Sequence, residues 1–144
     1  MRNAISAVAI GVIVVLAASS CSSDDKSSSD GSVAVEAREN GKAYSLVADT
    51  TSVPKGSVTF KLSNKGTVQH EMVVLKTDEP IDGLAVGADN EVSEDTSVGE
   101  VAEIDAGTSG TVTIDLAPGK YVLVCNIALH YGLGMRTAFI VTDQ

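Results

Sequence analysis

Apolar and polar positions alternate in short runs along most of this chain. In Ser57–Leu62, SVTFKL, the side chains of Val58, Phe60 and Leu62 fall on one side. Val112, Ile114 and Leu116 do the same, and Val68, His70, Met72 and Val74 share one face of another run. This period of two is that of a β-strand. Further strand-like runs cover Val33–Arg38, Ala43–Ala48, Gly99–Ile104, Tyr121–Cys125 and Arg136–Thr142. Lys55-Gly56, Asn64-Lys65-Gly66 and Pro118-Gly119 supply turns between them. β-branched residues dominate and the strand spacing is regular, which predicts an all-β antiparallel sandwich with little helix. No heptad, internal repeat or glycine-rich nucleotide-binding pattern appears.

Three segments depart from that pattern. The first, MRNAISAVAIGVIVVLAASSC, has Arg2, then an apolar stretch from Ala4 to Ala18, then small residues before Cys21. It reads as a signal peptide over residues 1–20, since the stretch is shorter than the roughly 18 residues of a membrane span. A cysteine in that position resembles the lipobox of bacterial lipoproteins, although Ala18 stands where Leu is more usual. Cys21 is therefore the expected lipidation site. The alternatives are a disulfide with Cys125 and an uncleaved N-terminal anchor. Either way the protein is expected to be exported and held at the outer face of the cytoplasmic membrane. Residues 21–32 form the second segment, rich in Ser and Asp, which reads as a flexible tether. The folded domain then spans 33–144.

The third segment is 77–97. It has no basic residue and carries Asp78, Glu79, Asp82, Asp89, Glu91, Glu94 and Asp95. It reads as a solvent-exposed excursion between strands with at most one helical turn, either a solvated face or a docking surface. The whole chain of 144 residues has a formal charge of −9, and loss of Arg2 with the signal peptide takes it to −10. That charge argues against nucleic acid as a partner and for steering toward a basic one.

The chemistry is concentrated in few residues. The chain has two Cys, two His and three Met, of which Met1 initiates. Cys125, His130 and Met135 follow one another at five-residue intervals. The other histidine is His70, beside a strand-like run. One thiolate, two imidazoles and a thioether suit one copper ion in the trigonal His₂Cys arrangement with a weak axial Met. Zinc would draw more on thiolate, imidazole or carboxylate. Cys125 ends a strand, and Gly132 and Gly134 are placed to let the following loop curl back round a metal. Met72 falls at core spacing beside His70. Tyr121 is expected to pack near its turn with a hydroxyl partner. Asn126 is placed to bond across to the His70 strand, with Glu71 as its partner.

These pieces, NKGTVQHEMVVL and LAPGKYVLVCNIALHYGLGM, resemble the cupredoxins, the blue-copper family that includes plastocyanin, azurin, auracyanin, rusticyanin and sulfocyanin. The Cys-x4-His-x4-Met spacing is more similar to rusticyanin and auracyanin than to plastocyanin. The resemblance covers the domain from about Val33 onward. It implies a Greek-key β-barrel or sandwich with His70, Cys125, His130 and Met135 as ligands to one type 1 copper. Two departures stand out. Ala128-Leu129 occupies the place of a common Pro-Gly before the second histidine, and Glu71 follows the first histidine where plastocyanin and azurin carry Asn.

The resulting expectation is a monomeric, lipid-anchored electron carrier that exchanges single electrons with redox proteins at the membrane, and is not an enzyme. Multicopper enzymes need further histidines that this chain lacks. Copper storage or delivery is the alternative. A metal-free binding sandwich is a third reading. Ala128, Leu129, Tyr131 and Leu133 surround His130 with an apolar rim, and Leu129 and Leu133 are the expected docking residues.

Overall fold

The computed structural model describes residues 31–144. The signal peptide, Cys21 and nearly all of the tether lie outside the described residues. Nine strands follow in order: β1 Ser32–Asn40, β2 Ala43–Ala48, β3 Ser52–Pro54, β4 Gly56–Asn64, β5 His70–Lys76, β6 Ser97–Ile104, β7 Ser109–Leu116, β8 Gly119–Val124 and β9 Arg136–Thr142. Among the described residues there is no helix. One sheet has the order β2-β1-β4-β7 and the other β3-β9-β8-β5-β6. The expected sandwich is present, but its sheets are mixed. β1 runs parallel to β4, and β3 runs parallel to β9. Strand β3 has only three residues, too few for a period to show in the sequence.

The core lies between the sheets. Val33, Val35, Phe60 and Leu62 come from one side, and Met72, Val74, Leu123 and Phe139 from the other. The Phe60 and Phe139 rings meet edge to face at 5.3 Å, a preferred aromatic geometry. Met72 is thus a core residue. The Tyr121 hydroxyl donates to the Ala117 carbonyl at 2.7 Å, fixing the turn that feeds β8.

Strands β5 and β8 are buried on both faces. Their apolar runs, MVVL and YVLV, are continuous for that reason. Val73, Leu75, Val122 and Val124 face away from the main core and build a second cluster with Val92 and Tyr131, flanked by Ile81 and Leu84. Residues 77–97 are therefore not a free excursion. They cover the outer face of the five-stranded sheet, with Val92 buried and a β-bridge between Val86 and Val92 in place of a helical turn.

The approach to β5 is shaped by Asn64, which is buried. Its Nδ2 donates to the Val68 carbonyl at 2.7 Å and the Ile104 carbonyl at 3.1 Å, while its Oδ1 accepts from the Gly66 N–H at 2.9 Å. Asn64→Ala removes three bonds from a buried site, so folding stability should fall by about 1–3 kcal/mol. Urea denaturation of the copper-free domain measures this, and an unchanged midpoint contradicts it.

Candidate metal centre

Three separate parts of the chain meet at one end of the core. β5 opens with His70, β8 runs straight into Cys125, and the loop between β8 and β9 carries His130. One donor atom from each lies within 4.8 Å of the other two. His130 Nδ1 is 3.3 Å from Cys125 Sγ, and His70 Nδ1 is 3.8 Å from it. Donors bound at about 2.0–2.3 Å and near 120° apart around one ion would stand about 3.7 Å from each other. The three donors fit a shared metal.

Met135 is wholly buried. Its carbonyl accepts the Cys125 N–H at 3.1 Å, and its own N–H donates to the His130 carbonyl at 3.0 Å. These bonds close the loop on itself and bring the fourth expected ligand beside the first. The Glu71 backbone N–H donates to Cys125 Sγ at 3.4 Å. Because the donor is backbone, replacing Asn by Glu at this position leaves the bond to sulfur in place.

The loop is clamped on two sides. From β2, the Tyr44 N–H donates to the Leu133 carbonyl at 3.1 Å, and the Tyr44 ring stands edge-on to His130 at 4.9 Å and His70 at 6.0 Å. Gly134, with φ of 114°, passes so close to β2 that a Cβ would lie 2.7 Å from the Tyr44 carbonyl oxygen. From the acidic segment, Asn126 Nδ2 donates to the Val92 carbonyl at 3.0 Å and to Glu94 at 2.7 Å, and its Oδ1 accepts the Val92 N–H at 2.8 Å. The Asn126 side chain holds the 77–97 segment, while its backbone N–H is the group that meets the Glu71 carboxyl of the His70 strand. The Tyr131 hydroxyl donates to the Ile81 carbonyl at 2.7 Å, and Arg136 pairs with Asp82 while its guanidinium stacks on Tyr131. Tyr131 is therefore a buried staple and not part of an exposed rim.

The backbone strain sits at an unexpected place. Gly134 has a positive φ, but the other left-handed residue of the loop is Leu129, with φ of 75°. This is the position where cupredoxins commonly carry Gly, which enters that region without penalty. A Leu there costs about 1–2 kcal/mol. Leu129 is 57% exposed and Leu133 40%. With Val86, Asn90 and Gly132 they line a shallow cleft of about 190 Å³ beside His130.

Burial pushes the Cys125 thiol up to about 11. Metal must then displace its proton to take the thiolate. Burial and the neighbouring His70 both lower the pKa of His130, favouring the neutral imidazole that a metal needs. Two contributors escaped the sequence reading. Glu39, at the end of β1, touches His70 Nε2 with its carboxylate. Tyr44 stands edge-on against both imidazoles. Both come from the β1–β2 hairpin, over 20 residues from any ligand, and no local motif marks them.

The family model of the sulfocyanin (SoxE) domain matches residues 5–144. The chain belongs to the sulfocyanin domain family. This sulfocyanin-type domain resembles reduced auracyanin from Roseiflexus castenholzii with 26% identity and a TM-score of 0.54, over 76% of this chain and 96% of that one. It shares its fold with an azurin from Methylomonas sp. strain J, at 20% identity, a TM-score of 0.55, and 77% and 97% coverage. Rusticyanin from Thiobacillus ferrooxidans is a further neighbour, at 18% identity and a TM-score of 0.55 over 78% of each chain. No curated protein matches the chain in sequence. In this sulfocyanin-type domain the two imidazoles and one thiolate form a site suited to one type 1 copper.

Glu71 gives the copper-free site a pH signature. Burial chiefly, and then the charges of Glu94, Glu103 and Glu100, raise its carboxyl to about 7 from the ordinary 4.5. The folded state thus binds the proton more tightly than the unfolded chain does. Stability is full at low pH and is lost as pH rises from about 4.5 through about 7. Glu71→Gln should raise the melting temperature of the copper-free domain by several degrees at about pH 8 and leave it unchanged at about pH 4. Equal shifts at both values, read by calorimetry, contradict the assignment.

Proposed function

We propose that this chain is a type 1 copper protein that carries single electrons between redox partners outside the cytoplasmic membrane, tethered there through lipid on Cys21. The observation that carries the reading is the closed donor set. His70, Cys125 and Met135 are completely buried, and His130 is the ligand nearest solvent. When bound, copper supplies a one-electron couple. The chain holds its donors from two strands and a doubly clamped loop, so they keep their places when charge changes. Donors locked this way suit electron exchange. Storage or delivery calls for ligands that can be handed over, and buried ones oppose that. The two histidines of the chain leave nothing to build a second copper centre.

In this reading His70, Cys125 and His130 would hold the copper, and Met135 would supply a weaker fourth donor. His130 is the port, and exposed Leu129 and Leu133 are its rim. Val86, from the acidic segment, extends the same surface. An apolar rim beside the ligand nearest solvent excludes water where a partner would dock. The exposed carboxylates of Asp89, Glu94 and Asp95 lie in the segment that borders it, and would steer a basic partner at low salt.

The purified domain should bind one copper and show an intense blue absorption when oxidised. Cys125→Ser should be colourless, and Met135→Leu should stay blue with a shifted potential. A colourless wild-type domain with stoichiometric Cu(II) overturns the reading. Leu129→Asp or Leu133→Asp should keep the blue spectrum while slowing exchange with the natural partner about tenfold. Stopped-flow rates equal to wild type would refute the docking rim.

The anchor has its own test. Mass spectrometry of the mature N-terminus should find Cys21 as the first residue, bearing acyl chains, and membranes should retain the protein in high salt. An unmodified Cys21 or a different first residue refutes the lipid anchor without touching the copper assignment.

A further inference from the structure

We propose that Glu39 is a positioning residue for the copper centre, accepting the Nε2–H of His70 so that Nδ1 faces Cys125, and that its negative charge favours Cu(II) over Cu(I). The inference rests on the copper reading above and adds a determinant of the potential that lies outside the ligand loop.

His70 is fully buried, so both ring nitrogens need a partner. Nδ1 points at Cys125 Sγ, 3.8 Å away. Nε2 meets Oε1 of Glu39, which reaches it from the end of β1. A carboxylate on the far nitrogen selects the tautomer with Nδ1 free and stops the ring from turning. Glu39 is itself held. Its side chain is only 11% exposed. Oε2 accepts the Thr67 N–H at 2.7 Å and the Thr67 hydroxyl at 3.0 Å. Gly66 completes the cradle, because a Cβ there would lie 2.0 Å from Oε1. The carboxylate of Glu39, on β1 of the opposite sheet, is thus fixed by the loop that leads into β5.

The electrostatic consequence follows from burial. Cu(II) carries one more positive charge than Cu(I). A nearly buried anion touching a ligand is weakly screened and stabilises the more positive state. Removing the charge while keeping the hydrogen bond should therefore weaken Cu(II) binding more than Cu(I) binding, and raise the potential.

Glu39→Gln makes that separation. The amide oxygen can face His70 and keep that bond, while the amide NH₂ faces Thr67, whose hydroxyl can accept from it and whose N–H loses its acceptor. The variant should stay blue. Its ratio of Cu(II) to Cu(I) affinity should fall about tenfold, read as a potential rise of about 59 mV for one electron. Gly66→Ala, which displaces the carboxylate, should shift the potential in the same direction. In the diamagnetic Cu(I) protein, the His70 Nε2–H should give a slowly exchanging proton signal by NMR in the wild type and in Glu39→Gln. Glu39→Ala should lose that signal. Urea unfolding of each copper-free variant reports folding separately, and Glu39→Gln with Gly66→Ala carry the test if Glu39→Ala does not fold. An unchanged potential in Glu39→Gln, or equal losses of affinity for both oxidation states, overturns the proposal. A wild-type domain that never turns blue overturns the copper reading instead, before any variant is compared.

Discussion

The hydrogen bond from the Cys125 N–H to the Met135 carbonyl closes residues 125–135 into a ring, and the rest of the site is built to hold that ring still. A loop of this length would fluctuate if only its ends were fixed. Here it is gripped between two structures. Tyr44 of the β1–β2 hairpin takes one side through a backbone bond and ring contacts with both imidazoles. The acidic segment takes the other through Asn126, Tyr131 and Arg136. The sandwich supplies the remaining rigidity, since His70 begins one inner strand and Cys125 directly follows its neighbour. A donor set imposed by so many independent contacts is set before metal arrives, which lowers the rearrangement that a change of oxidation state would require.

Much of this was legible in the chain. β2 and β9 have the expected bounds, and the other long strands differ by a few residues at their ends. His70, Cys125 and His130 were legible because a thiolate and two imidazoles beside strand-like runs stand out in a chain with only two Cys and two His. The misreadings share a physical cause. A period of two reports which face is buried, but not what covers it. MVVL and YVLV lack that period, and continuous apolar strands require cover on both faces. The cover is residues 77–97, whose few apolar side chains, Ile81, Leu84 and Val92, are hidden in sequence among carboxylates. Glu39 and Tyr44 could not be read either. Their roles depend on the register of β1 against β2, which pairs Glu39 with Tyr44, and on the parallel pairing of β1 with β4. No residue near them announces it.

The acidic segment therefore has two jobs that act at different ranges. At contact range it is structural, because Val92 and its bonds to Asn126 seal one sheet and brace the ligand loop. At longer range it bears charge beside the only ligand near solvent. The segment grips the loop through the Val92 and Ile81 backbone and two carboxylates, Glu94 and Asp82, which leaves its other carboxylates free to act at a distance. The packing and the field can then vary independently in sequence, which explains how so charged a stretch can lie against a metal loop without disturbing it.

Leu129 links the path of the ligand loop to its outer surface. The left-handed turn before His130 is a property of the loop's path, since the His130 N–H must reach the Ile127 carbonyl and the Leu129 N–H the Asn90 carbonyl. Glycine would satisfy that path without strain. Leucine satisfies it at a cost of about 1–2 kcal/mol, and gains no burial in return, because most of its side chain faces solvent. Neither packing nor backbone geometry accounts for a large apolar residue there. What the side chain does provide is apolar surface one residue from His130 and continuous with Leu133 and Val86. A strained residue that contributes little to its own fold is most simply understood by what it presents outward.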